Sequence, residues 1–156
     1  MSGEPCEFCD APGVGGYEGC RLLFNEITAQ SFSSAEHFTV HRAAVDCYAL
    51  QHPEYFCVSA KSYAAHLSGL CVAIEYNRSV EVNAAIQRWL SGSIKLMKPA
   101  VLIDRGEITI THLQNLSDAV DHSQRVADWC KAVWQAYNNL QDVARSYVSA
   151  ALTLKG

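Results

Sequence analysis

The feature that most constrains this 156-residue chain lies at its start: Cys6-Glu-Phe-Cys9, a stretch punctuated by Gly and Pro, then Cys20. Two thiols so spaced on a tight turn can point both sulfurs at one ion, and a third arriving from a loop leaves one tetrahedral position to fill. Gly13, Gly15, Gly16 and Gly19, with Pro5 and Pro12, favour turns over helix through residues 1–20. The segment is therefore expected to be a knuckle in which Cys6, Cys9 and Cys20 hold a structural zinc. The fourth ligand has to come from further along the chain, with His41 as the candidate and His37 as the other choice. A redox Cys-x2-Cys pair usually opens a helix after a strand, and no strand pattern precedes Cys6. Chance spacing is the remaining alternative, since the chain contains seven cysteines.

From Arg21 the pattern becomes helical, with Leu22, Leu23, Phe24 and Ile27 recurring through about Gln30. Ser33 or Ser34 can cap a second helix running to His52, where Pro53 disfavours helical geometry in the residue before it. A third helix is expected over Ser59–Glu75 and a fourth over Val80–Leu90, completing helices in 21–90. Residues 91–116 read as a loop with a short helical turn at Thr111 and a possible extended pair at 101–103 and 108–110. From Ser117 or Ala119 to Leu152, residues such as Val126, Trp129, Val133, Tyr137, Ala144 and Tyr147 keep a three-or-four spacing that predicts one long C-terminal helix. The expected fold is all-α: a single domain, 1–156, built as a four- or five-helix bundle behind a zinc knuckle.

Three of the six histidines, His52, His66 and His122, fall on the inferred core stripes of three different helices. A buried imidazole needs partners for both ring nitrogens, so rings converging in a bundle core would suit a second, open metal site. Asp46 and Tyr48 would stand beside it. The alternative is that each ring is satisfied separately by a carbonyl or hydroxyl.

A net charge of −4, with twelve scattered Lys and Arg, argues against a nucleic-acid partner, which needs a concentrated basic face. The first twenty residues carry Glu4, Glu7 and Asp10 and no apolar run of signal-peptide length, and no segment is apolar enough to span a bilayer. Reduced thiols without an export signal suit the cytoplasm. The expected partner is a protein or small molecule, or a second copy of the chain in a homo-oligomer.

The run His41-Arg-Ala-Ala-Val-Asp46-Cys-Tyr48-Ala-Leu-Gln51-His52-Pro53 resembles the signature of an uncharacterised bacterial family, a domain of unknown function. Ser62–His66-Leu67–Leu70-Cys71, the Asp121-His122–Val126–Trp129–Val133-Trp134–Ala136-Tyr137 pattern and the N-terminal Cys-x2-Cys…Cys extend the resemblance over nearly the whole chain. Asn138-Asn139 departs from it, standing where that pattern has paired histidines. The resemblance implies motif positions, not an activity. Two functions then compete. One is a small zinc-binding protein, its metal structural and its bundle surface facing a partner. The other is a metal-dependent enzyme, a hydrolase or thiol transferase similar by analogy to DinB-like bundles, using the core histidines.

Overall fold

The structure is a computed structural model that describes residues 3–116 and 118–154. Met1, Ser2, Ser117, Lys155 and Gly156 lie outside the described residues, including one of the two starts expected for the last helix. Eight α-helices and no strand are found among the described residues. Helix α1, Gly16–Ala29, begins inside the segment whose glycines predict turns. Glu7 overrides that propensity. Its Oε1 accepts from the backbone N–H of Tyr17 at 2.7 Å, satisfying a free donor of the first turn where the helix dipole favours negative charge. Gly15 enters the helix at φ 89°, a conformation open to glycine for want of a Cβ. Cys20 therefore sits on a helix, not at the end of a loop.

The single helix expected from Ser33 or Ser34 to His52 is two helices. Ser34 caps α2, Ala35–Thr39, by accepting from the N–H of His37 at 3.1 Å. Val40 then leaves helical geometry at φ −105°, ψ 3°, and α3 runs His41–Gln51. His52 follows in a non-helical conformation, and Pro53 opens the one-turn α4, Pro53–Phe56, where its missing N–H costs nothing. Ser59 and Ser62 form a capping box for α5, Ala60–Glu75, and Ser79 caps α6, Val80–Leu90. Between α6 and a 3-10 turn at Ile110–Leu113 the chain is irregular, and the extended pair expected at 101–103 and 108–110 does not form.

The expected long final helix is also divided, into α7, Ala119–Ala136, and α8, Gln141–Thr153, with a 3-10 turn over Asn138–Leu140. Asn138 and Asn139 are weak helix formers because their amides compete for backbone hydrogen bonds. Tertiary partners complete the break: the Tyr137 hydroxyl donates to the Leu50 carbonyl, and Gln141 Nε2 donates to the freed Trp134 carbonyl at 2.9 Å. α5 is the central element, packed against α3, α6, α7 and α8. Tyr48, Tyr63, Trp129 and Tyr137 are the largest fully buried side chains, so the aromatic stripe of α7 is core. No helix among the described residues is long and apolar enough to cross a membrane.

Candidate metal centre

Cys6, Cys9, Cys20 and His52 bring their ligand atoms within 4.8 Å of one another, all four side chains buried. Three separate pieces of chain deliver them. Cys6 and Cys9 lie on a turn closed by Cys6 N–H to the Ala11 carbonyl and Asp10 N–H to the Cys6 carbonyl, both at 2.9 Å, with Asp10 at φ 63°. Cys20 comes from α1, and Gly19 beside it lets that helix press on the Val14 carbonyl, which a Cβ would meet at 1.7 Å. His52 comes from the break between α3 and α4.

The distances have a chemical scale. An ion about 2.3 Å from sulfur and about 2.0–2.1 Å from nitrogen, at tetrahedral angles, sets sulfurs roughly 3.8 Å apart and sulfur to nitrogen roughly 3.6 Å. Cys9 Sγ and Cys20 Sγ are 3.8 Å apart, and His52 Nε2 lies 3.6 Å from both Cys6 Sγ and Cys20 Sγ. Three of the six separations thus stand at tetrahedral values, and all of them lie within 4.8 Å, which brings the four side chains within reach of one ion.

The surroundings prepare it for that role. The Nδ1–H of His52 donates to the Tyr48 carbonyl at 2.7 Å, leaving the Nε2 lone pair for the centre. Tyr48 also donates its hydroxyl to Cys20 Sγ at 3.3 Å and stacks on the His52 ring. Tyr17 stacks on Tyr55, and Phe8 meets both edge-on. The Cys9 thiol, donating to Cys20, draws the Cys20 thiol down to about 4; burial opposes this, and His52 and Tyr48 assist. The same hydrogen bond, with burial, pushes Cys9 up. Burial pulls His52 down, yet its bonds to Cys20, Cys6 and the Tyr48 carbonyl together lift it to about 9. Proton sharing of this kind marks thiols that a cation would deprotonate.

The other expected ligands are elsewhere. His41, the expected fourth ligand, has its Nδ1 2.9 Å from Ser31 Oγ, and His37 has its Nδ1 2.8 Å from Ser34 Oγ. His37 lies on α2 and His41 opens α3, whereas the centre gathers at the far end of α3. His52, His66 and His122 do not share a site either. His52 belongs to the cysteine cluster, His66 Nδ1 pairs with Asp46 Oδ1 at 2.9 Å, and the ring of buried His122 lies 4.9 Å from that of His37. Register along a helix cannot show which of several buried faces a residue occupies, and these three rings occupy different ones. The cysteine cluster is the only such group of three or more among the described residues.

Sequence reasoning missed the residues that hold His52 in place. Gln51, fully buried, donates to the carbonyls of Arg105 and Ile108 at 3.0 and 2.7 Å and accepts from Trp129 Nε1 at 3.0 Å. Arg105 donates to the Phe8 carbonyl at 3.0 Å and the Gln51 carbonyl at 3.2 Å, and pairs both Nη atoms with Glu54. It thereby ties the long loop to the knuckle and to both sides of His52. Gln51 stands in the motif that carries the resemblance, which was the one available signal; nothing marked Arg105.

A family model, DUF5946, described as a family of unknown function, matches residues 4–138, a span that contains all four residues of the cluster. No curated protein and no solved structure matches the chain.

Proposed function

The chain belongs to this family of unknown function, DUF5946, so its role has to be read from its own residues, and we propose that it is a zinc-binding helical protein whose metal is structural. The observation that carries the reading is the buried set of three sulfurs and one imidazole nitrogen, all within 4.8 Å of one another. Three thiolates with an imidazole favour zinc over the harder divalent ions. Four protein ligands, all buried, leave no position for water or substrate, which is the pattern of structural and not catalytic zinc. Its work is to fasten residues 6–20 to the α3–α4 break, a link between segments more than thirty residues apart. Zinc thiolates call for a reducing compartment, and the cytoplasm is proposed on that ground.

The bundle surface is the proposed point of contact with a partner protein or small molecule. Phe32 and Phe38 stand exposed with rings 5.9 Å apart, and Val80 and Val120 are also exposed. The metal-dependent enzyme reading has no support in the placement of His52, His66 and His122. Elemental analysis of protein purified without a His tag tests the zinc reading. One zinc per chain, lost together with melting temperature in Cys9→Ser, is expected. Absence of zinc, or unchanged zinc content in that variant, overturns it.

A further inference from the structure

Asp46 is almost wholly buried, yet only one of its oxygens is used by a hydrogen bond. Oδ1 accepts from His66 Nδ1 at 2.9 Å across the α3–α5 interface. Oδ2 is pressed onto Gly69, where a Cβ would come to 2.0 Å, so the carboxylate reaches His66 only because residue 69 has no side chain. Arg42 Nε forms an ion pair with Oδ2 at 3.7 Å, too long for a hydrogen bond, and is itself buried without a hydrogen-bond partner. His41, Arg42, Asp46, His66 and Gln87, from three helices, line one cavity of about 320 Å³. None of them belongs to the cysteine cluster.

A purely structural ion pair at a helix interface would be expected to close its own hydrogen bonds, because unmet polar groups in the interior are costly. This one holds a carboxylate oxygen and a guanidinium nitrogen 3.7 Å apart, an ion pair without a hydrogen bond, and neither atom finds a hydrogen bond elsewhere. The imidazole is oriented as in catalytic His–carboxylate pairs: Nδ1–H is committed to a buried carboxylate, and the Nε2 lone pair stays free. A guanidinium on the wall of the same cavity offers a planar donor edge for an oxyanion.

We propose that His66, Asp46 and Arg42 form a second site, independent of zinc, which binds a small molecule bearing a carboxylate or phosphate and uses His66 Nε2 as a general base on water or a hydroxyl. In hydrolysis of an ester carrying such an anion, Arg42 holds the anionic group. Water attacks the acyl carbon and passes a proton to Nε2, and Asp46 stabilises the imidazolium. The alkoxide leaves as the carbonyl reforms, and the proton on Nε2 passes to it or to solvent. Water is the only co-reactant.

The test uses the zinc-loaded full chain and two probes: inorganic phosphate, followed on the His66 ring proton resonances, and 4-nitrophenyl hemisuccinate, an activated ester with a free carboxylate. Saturable phosphate shifts at His66 that vanish in Arg42→Gln are expected. Nitrophenolate release should fall about tenfold or more in His66→Gln. Asp46→Asn should lower release while leaving phosphate binding in place, and the ring nitrogen shifts should report loss of the Nδ1–H tautomer. If Asp46→Asn fails to fold, His66→Gln and Arg42→Gln decide the matter alone. Phosphate shifts that persist in Arg42→Gln, or release equal to wild type in a folded His66→Gln, overturn the proposal.

Discussion

The Nδ1 of His52 lies 2.7 Å from the carbonyl oxygen of Tyr48, one helical turn earlier, and this contact directs Nε2 at Cys6 and Cys20. The carbonyl is free to accept because the helix stops at Gln51, ahead of Pro53, leaving its last carbonyls without intrahelical donors. A sequence device that ends a helix thus also selects the tautomer of a candidate ligand.

His52 should therefore be required for metal and His41 should not. His52→Ala is expected to lose most of the zinc, with a lower melting temperature because metal binding is coupled to folding. His52→Cys, which supplies a fourth thiolate, should retain zinc. His41→Ala should keep a full complement, since its ring contacts Ser31. Zinc content measured across the three variants decides the assignment, and loss in His41→Ala with retention in His52→Ala would reverse it.

Gly69 should tolerate no side chain. A methyl group at residue 69 would stand 2.0 Å from Asp46 Oδ2, so Gly69→Ala has to move the carboxylate or part α3 from α5. Overpacking of this kind costs roughly 1–3 kcal/mol. Denaturant unfolding should show a loss of that size, and a variant as stable as wild type would mean that the interface yields freely.

Gln51→Leu should destabilise more than the loss of one hydrogen bond. It strands the Trp129 indole N–H and the carbonyls of Arg105 and Ile108. At about 1–3 kcal/mol for each buried group left unmet, the total is expected to be about 3 kcal/mol or more. Amide exchange at residues 105–108 should quicken, because this segment is held to α3 by that side chain. Unchanged protection there would remove Gln51 from its role as the anchor.

The Glu54–Arg105 pair predicts an acid limb. Burial raises the Glu54 carboxyl, but the Arg105 guanidinium outweighs it and holds the group below its ordinary value. A depressed carboxyl contributes stability above its unfolded value, about 4.3, and loses it as pH falls through the lower folded value. Melting curves from about pH 6 to about pH 3, with zinc in excess, should fall less steeply for Glu54→Gln than for wild type. Parallel curves would show that the pair adds nothing.

By itself the sequence determined the helical class, a cap at Ser33 or Ser34, the helix starts near Ser59 and Val80, the stop at Pro53 and the cysteine-rich start, because each depends on neighbours a few residues away. The division at Asn138–Leu140 was half legible. The Asn pair weakens the helix locally, but the Tyr137–Leu50 and Gln141–Trp134 bonds that complete the break join residues whose contact no spacing reveals. Only the tertiary structure decided that Glu7 would start α1 among glycines, that His52 and not His41 would join the cysteines, and that His66 would pair with Asp46. A three-or-four spacing reports that a residue faces inward, whereas the partner it meets depends on how helices cross, and that is set by packing over the whole core.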